Sequence, residues 1–267
     1  MPFTLAHPAA VIPLRRVLGR ASVLSALIIG SLAPDLIYFI PLGISRATSH
    51  SLAGLFWFCI PVGFVGYLLF HVLLRPVGYY LLPPPLRDRL PLPPNGSWLP
   101  TSPLWAVLVS LTVGAATHLL WDGFTHKGGF VVAEFPALRA PLWEVGGYRV
   151  YTYKVLQHGS TLVGLSLLTF WGWQWYIATR AHHEPRGGQP LEAVRVPALL
   201  VLLAAPALGG LISGVWHMSA ATGMKALQQF VRHGVITAMG VFGTILLGLG
   251  VLWRLWEARV ESKPNRR

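Results

Sequence analysis

The chain reads THLLWDGFTH from residue 117 to residue 126, at the point where a long apolar run ends. His118 and Asp122 are four residues apart, so on a helix an imidazole and a carboxylate stand one turn from each other on the same face. That spacing is typical of a pair of metal ligands. Gly123 is expected to end the helix, which places His126 on the loop that follows. The stretch therefore offers three candidate ligands at one end of an apolar segment.

The composition is typical of a multi-pass membrane protein. The 267 residues are 54% hydrophobic and 11% charged, and the mean hydropathy is +0.56, which is too apolar for an ordinary soluble domain. The net charge of +12 does not indicate nucleic acid, because the basic residues are scattered between apolar segments instead of gathered into one stripe. The single cysteine, Cys59, excludes an internal disulfide and a cysteine-based zinc site.

Six apolar runs are long enough to cross a bilayer as helices. They extend over residues 21–44, 51–74, 103–121, 155–177, 196–216 and 234–253. Residues 1–18 form a shorter apolar stretch whose basic residues follow it, which favours a re-entrant or interfacial helix over a signal peptide. The proline-rich connection from residue 75 to residue 102 is expected to be a stiff, polar linker. The predicted fold class is all-α, a polytopic membrane helix bundle of about six transmembrane helices plus the N-terminal re-entrant or interfacial helix.

The basic residues predict how the chain is oriented. With the N-terminus in the cytoplasm, fourteen of the twenty-one Lys and Arg residues fall on the inner side, where basic residues are retained. Both termini are therefore predicted to be cytoplasmic. Residues 1–178 form a membrane domain with the candidate ligands, and residues 179–267 add two membrane helices and a basic C-terminal tail to the same bundle. Membrane lipid is the expected partner.

This topology, built from Lys and Arg alone, brings further candidate ligands to the outer side. Asp35 lies in the outer half of the first span, where a carboxylate is costly unless it is paired. His50 begins the second span from the same side. Two carboxylates and two or three imidazoles at one depth suit Zn²⁺, and would also suit Mn²⁺ or Fe²⁺, as one ion or two.

Each candidate also has a structural interpretation. Asp35 could bracket a neighbouring helix, and His50 could sit beside a helix N-cap at Ser51. His126 could be a metal ligand, a hydrogen-bond donor to a ligand or a surface residue. The remaining outer-side histidines are His158, His217 and His233.

Several short motifs resemble a bacterial family of uncharacterised multi-pass membrane proteins. The motifs are Pro2-Phe3-Thr4 with His7-Pro8, Gly30-Ser31-Leu32-Ala33-Pro34-Asp35, Ser49-His50-Ser51, Phe70-His71 with Arg75-Pro76, and His118-Leu119-Leu120-Trp121-Asp122 with Thr125-His126. The resemblance is clearest from residue 1 to about residue 161 and weaker beyond.

The order of these motifs is more remotely similar to the membrane-bound metal-dependent hydrolase family. That resemblance implies a metal-binding set of His7, Asp35, His50, His118 and Asp122. The hydrolases typically carry Pro-Asp-x-Asp, whereas this chain has Ile37 at the second acidic position, which puts a two-metal site in doubt.

Two classes of function follow. The first is an integral-membrane metal-dependent hydrolase of a lipid or isoprenoid phosphoester at the outer face, with Asp122 and His126 as candidate catalytic residues. The second is a non-catalytic structural-metal protein or an ion or proton transporter that uses the same Asp and His residues. A transport pathway would need polar residues through the inner halves of the spans, which offer little besides His71, Ser110 and Thr112. The hydrolase is therefore favoured.

Overall fold

The computed structural model describes residues 3–39, 43–91, 99–145, 148–181, 192–218 and 222–261. As expected, most of these residues are helical. The helices are α1 (Pro8–Val11), α2 (Leu14–Leu18), α3 (Leu24–Leu32), α4 (Arg46–Ser49), α5 (Leu52–Leu81), α6 (Pro84–Arg87), α7 (Leu104–Thr125), α8 (Phe130–Glu134), α9 (Thr152–Ala178), α10 (Glu192–Met218) and α11 (Gly223–Glu261). Short 3₁₀ segments cover Thr4–Ala6, Gly19–Ala21, Ala33–Tyr38 and Pro136–Arg139. The tip of the proline-rich connection at residues 92–98 and the basic tail at 262–267 lie outside the described residues.

Four helices in the described part of the chain are long and apolar enough to cross a membrane. They are Leu52–Leu81, Leu104–Glu134, Val194–Met218 and Gly223–Arg259, where the second includes the short helix α8. The segments Leu14–Ala21 and Leu24–Tyr38 are bent by 117° and count as a fifth if the pair is one span. Helix α9 has the length of a span, at 27 residues, but Lys154, Gln157 and His158 make its first turns polar. The chain is thus an integral-membrane helical protein with four or five candidate spans.

The chain divides into two compact units. The first contains Met1–Tyr67 and Thr101–Ala178, and the second contains Leu68–Pro100 and Thr179–Arg267. In the second unit, α10 and α11 pack with the later part of α5 around Val77, Leu81, Leu202 and Trp253.

The first unit is built on a close crossing of α3 and α7. A Cβ at Gly114 would overlap the carbonyl oxygen of Leu27, and one at Gly30 would overlap that of Leu111. Glycine at both positions therefore lets the two backbones touch, as small residues do between membrane helices. This contact places the C-terminal end of α3 beside the last turns of α7.

The N-terminal stretch is not one helix. The expected re-entrant or interfacial helix over residues 1–18 is broken into the turn Thr4–Ala6 and the short helices α1 and α2. Pro8 begins α1 and Pro13 precedes α2, as expected for residues that cannot donate the helical hydrogen bond. Thr4, His7 and Val11 are buried, so this segment is part of the core of the first unit.

Two predicted helix ends are wrong. Helix α7 continues through Gly123 to Thr125. The ring of Phe130 packs against Gly123 in the space that a Cβ would occupy, and this contact supports the last turn of the helix. The predicted linker from residue 75 begins later, since α5 runs through Pro76 to Leu81. A π-helical turn at Phe70–Leu74 precedes Pro76, where the regular hydrogen bond cannot form.

The segment after α7 contains the one sheet that the described residues show. Strands β1 (Pro141–Val145) and β2 (Tyr148–Tyr151) pair antiparallel, with a register shift between Pro141 and Trp143. This hairpin leads directly into α9.

The crossing of α3 and α7 can be tested with one methyl group. Gly114→Ala should destabilise the protein by about 1–3 kcal/mol, because the added Cβ must push the two backbones apart. Thermal unfolding in detergent measures the change. Gly159→Ala is the matched control, since nothing lies within 4 Å of a Cβ at this helical glycine. Equal melting temperatures for the two variants would contradict the described contact.

Candidate metal centre

Five side chains from separate segments of the first unit converge on one buried point. His7 follows the N-terminal turn, Asp35 lies in the 3₁₀ segment after α3, His50 follows α4, and His118 and Asp122 lie on α7. His118 is fully buried, and the exposed fractions of His7, Asp35 and Asp122 are 5%, 1% and 5%. All five are the ligands that the sequence pattern and the hydrolase resemblance predicted.

The facing atoms of four of these residues form a closed ring. His50 Nε2 lies 3.4 Å from Asp35 Oδ1 and 3.3 Å from Asp122 Oδ2. His118 Nε2 lies 3.8 Å and 3.6 Å from the same two oxygens. His7 Nε2 adds a fifth donor, 3.7 Å from Asp122 Oδ1. Nitrogen and oxygen atoms thus alternate around the ring.

These separations match the distances between ligands of one ion. Ligands about 2.0–2.1 Å from a tetrahedral zinc lie roughly 3.3–3.4 Å from each other. The ring distances of 3.3 to 3.8 Å are slightly longer than that value. The donors could therefore hold a metal ion, and two overlapping triads, His7–Asp35–His118 and His50–His118–Asp122, share His118.

Most of the atoms at this point lack hydrogen-bond partners among the described residues, and Asp122 Oδ2, which accepts from Arg46, is the exception. The imidazole Nε2 atoms of His7, His50 and His118 and the Oδ1 atoms of Asp35 and Asp122 are all buried and unsatisfied. Buried polar atoms are rarely left without a partner, because the loss of hydration is costly. Five such atoms at one point indicate that the site is built to receive something that binds them all.

The hydrogen bonds of the Nδ1 atoms determine which imidazole nitrogens face the site with a lone pair. His118 Nδ1 is 2.7 Å from the carbonyl oxygen of Ser31, which only accepts, so Nδ1 carries the proton and Nε2 keeps its lone pair. His50 Nδ1 is 2.8 Å from Ser49 Oγ. Since Ser49 donates to the Arg46 carbonyl oxygen, it accepts from His50, and His50 Nε2 is likewise free to bind.

His7 and Asp35 are held from the N-terminal side. Thr4 Oγ1 donates to Asp35 Oδ2 at 2.7 Å, which leaves Oδ1 facing the ring. The imidazole of His7 stacks on that of His118 with ring centroids 3.8 Å apart. Burial, followed by the neighbouring His118, lowers the pKa of His7 to about 3. His7 is therefore a neutral ligand at physiological pH.

The pKa of His50 shifts in the direction opposite to that of His7. Burial alone would lower its pKa, but the carboxylates of Asp122 and Asp35 outweigh that effect and raise it. The two carboxylates thus favour a proton on His50 when no cation is present. A metal ion would have to displace that proton, because only a neutral imidazole binds a metal.

Asp122 is held by two further side chains at the rim. Arg46 Nη2 lies 2.6 Å from Asp122 Oδ2. His126, the residue that caps α7, has Nδ1 3.3 Å from Asp122 Oδ1. The structure thus places His126 beside a predicted ligand and outside the ring of four. Its Nε2 is buried and without a hydrogen-bond partner in the described part of the chain.

Sequence reasoning missed the residues that support the ligands. In the sequence Arg46 is only one of seven outer-side basic residues, although Ser45, a residue type that favours a helix N-cap, indicates an ordered turn just before His50. Thr4 appeared only within a motif. The other outer-side histidines lie elsewhere: His158 is exposed on α9, and His217 and His233 stack on each other in the second unit.

The fold and the site together define a class of protein: an integral-membrane helical protein with a buried His and Asp cluster that could hold a metal ion. Over residues 1–262 the chain matches the family described as Domain of unknown function (DUF4184), and it belongs to that family. No curated protein and no solved structure matches it.

Removing one carboxylate from the ring should remove the metal. Asp122→Ala should lower the affinity for a divalent ion by more than about a hundredfold, because it deletes a ligand and leaves three imidazoles with one carboxylate. Metal content of purified protein by mass spectrometry measures the loss. His158→Ala, an exposed histidine of the same unit, should keep the ion. The affinity of the unaltered chain should also fall as the pH drops and His50 is protonated. Equal metal content in both variants would place the ion elsewhere.

Proposed function

We propose that this protein is an integral-membrane metal-dependent hydrolase that acts on a phosphoester of a lipid or isoprenoid at the outer membrane face. The observation that carries the proposal is the convergence of five buried, unsatisfied ligand atoms beside an arginine and a further histidine. The similarity of the motif order to membrane-bound metal-dependent hydrolases supports the same class.

Zinc is the proposed metal. The ring of two imidazoles and two carboxylates suits a tetrahedral ion, and His7 offers a fifth donor. Mn²⁺ and Fe²⁺ also take such mixed sets, in higher coordination. One ion is favoured over two because the described triads share His118, and because Ile37 stands where the hydrolase pattern has a second acidic residue.

When bound, such a metal lowers the pKa of a coordinated water to near neutrality and polarises a phosphoryl oxygen. The chain's own contribution is to place a base and a cation beside it. His126 Nδ1 lies 3.3 Å from the backbone carbonyl oxygen of Asp122, which can only accept, so the proton on Nδ1 points to that carbonyl and Nε2 is left to accept a proton from the attacking water. Asp122 thus has two roles, as a ligand and as the group that orients His126.

The lipid substrate follows from the proposed topology. We place six spans in a bacterial inner membrane, with α9 and the bent pair counted as spans and both termini in the cytoplasm, as the Lys and Arg distribution favours. The His and Asp cluster then lies near the outer surface, at the depth of lipid headgroups. A phosphoester in a headgroup reaches this depth without leaving the bilayer.

A structural metal is the second candidate, and one observation favours it. The ring is nearly closed to solvent, with its ligands at most 7% exposed, and structural zinc sites are closed whereas catalytic sites keep a position open. The ion would then tie α7 to the N-terminal segment and to the turn before α5. Activity measurements separate the two candidates.

Release of phosphate or of a headgroup from lipid phosphoesters in liposomes should require both the metal and Asp122. Chelator and Asp122→Ala should each abolish release, since the ion is lost. His126→Ala should keep the ion and lose about a hundredfold or more in rate, because a general base contributes on that order. Activity that survives both chelator and Asp122→Ala would exclude the mechanism. Stoichiometric metal without any release would favour the structural role.

The proposed orientation predicts which loops an impermeant reagent can reach. In a Cys59→Ala background, Leu99→Cys and Ala137→Cys should be labelled from opposite sides of the membrane, because α7 crosses the bilayer between them. Labelling intact cells with a thiol-specific maleimide should modify only the cysteine at position 137. Equal labelling of both positions would mean that α7 does not span.

A further inference from the structure

We propose that Arg46 binds the anionic group of the substrate, a phosphate, at the mouth of the His and Asp cluster. The inference rests on the proposed function and adds a residue that recognises the substrate. Arg46 is not a metal ligand, and neither motif spacing nor family resemblance pointed to it.

Arg46 differs from the ligands in its exposure. Its side chain is 36% exposed, whereas that of Asp122, which it contacts at 2.6 Å, is 6% exposed. The guanidinium group therefore reaches from the buried ring to the outside of the first unit. A group that enters the cluster past this side chain meets a positive charge next to the ligands.

The turn that carries Arg46 is well fixed. Ser45 Oγ accepts a hydrogen bond from Thr48 N at the start of α4, and the Thr48 carbonyl oxygen lies where a Cβ of Gly54 would be. Arg46 therefore projects from a backbone that is locked against the beginning of α5. A fixed backbone lowers the entropy lost when a side chain binds a ligand.

The charge balance of the site calls for an anion. Two carboxylates and a divalent ion cancel, so Arg46 leaves an excess of one positive charge when the three imidazoles are neutral. A phosphate group compensates that excess and accepts parallel hydrogen bonds from a guanidinium. In the described part of the chain, Asp122 and Tyr38 accept hydrogen bonds from Arg46, His50 and His126 lie within range of its charge, and a guanidinium has five N–H donors. Donors therefore remain for the phosphate oxygens.

Arg46 could instead only support Asp122, and the two roles predict different effects of removing the arginine. If Arg46 only held Asp122 in place, its removal would weaken metal binding. If it binds the substrate anion, its removal should leave the metal affinity unchanged or raise it, because a cation beside the ion is lost, and should weaken anion binding. The signs of the two changes distinguish the roles.

The experiment titrates inorganic phosphate into the zinc-loaded protein by calorimetry, with metal affinity measured in parallel by competition with a chelator. Arg46→Gln should bind phosphate about tenfold to a hundredfold more weakly than the unaltered chain, the effect of losing a charged hydrogen bond. Arg46→Lys should recover part of the affinity, since it keeps the charge without the planar fork. Arg149→Gln removes an exposed arginine of the same unit that pairs with Glu144, and should have no effect.

Four outcomes would overturn the inference. Phosphate binding by Arg46→Gln at the unaltered affinity, or no phosphate binding by the zinc-loaded chain, would exclude Arg46 as the anion site while the metal centre stands. Loss of zinc from Arg46→Gln would make Arg46 a support for Asp122. Failure of the unaltered chain to bind zinc would refute the proposed function itself, and is seen in the chelator competition before any phosphate is added.

Discussion

The first unit depends on one electrostatic constraint, the burial of Asp35 and Asp122 together within apolar helices. Two carboxylates at this depth repel each other and lose their hydration, so each needs compensation from the protein or from a cation. The imidazoles of His50 and His118 lie between the two carboxylates in the ring. Their outer nitrogens are held by Ser49 and the Ser31 carbonyl. The N–H groups of these imidazoles thus point outward to the protein, while their lone pairs and the carboxylate oxygens point inward, where a cation would compensate both.

That arrangement makes stringent demands on the backbone. The ligands come from four segments, so the positions of α3, α4 and α7 and of the N-terminal turn are coupled through a few atoms. Gly30 and Gly114 allow the backbone contact that brings the Ser31 carbonyl to His118. Thr161 accepts a hydrogen bond from Phe3 N, and Thr4 in turn donates to Asp35. Helix α9 therefore takes part in orienting a ligand that it does not itself contact.

Much of the site was predictable from the sequence, because its residues are marked by helical spacing or by the cost of burying a charge. His118 and Asp122 stand on one face through helical spacing alone, and Asp35 is conspicuous as a carboxylate in an apolar run. The parts that could not be predicted depend on tertiary contacts. Gly123 has the residue type of a helix end, but the ring of Phe130 packs against it and α7 continues. Arg46 belongs to a short polar turn, and only the folded chain shows that this turn points at Asp122. The prediction of six helices rested on hydropathy, which is weakest for α9 because its first turns carry polar residues.

The solvent exposure of the side chains around the His and Asp cluster bears on whether the cluster is catalytic. A site whose purpose is to tie helices together needs only the ring, and every additional polar group near it adds a desolvation cost without strengthening the tie. Arg46 and His126 both contact Asp122 and are not needed to complete the ring. Both are also more exposed than the ring ligands, at 36% and 14% of the side chain compared with 7% or less. One is a cation and the other a base whose Nε2 has no hydrogen-bond partner among the described residues, and the proposed hydrolysis would use both beside a metal. Their contacts with a shared carboxylate at the rim of the ring support the proposed hydrolase over a structural metal site.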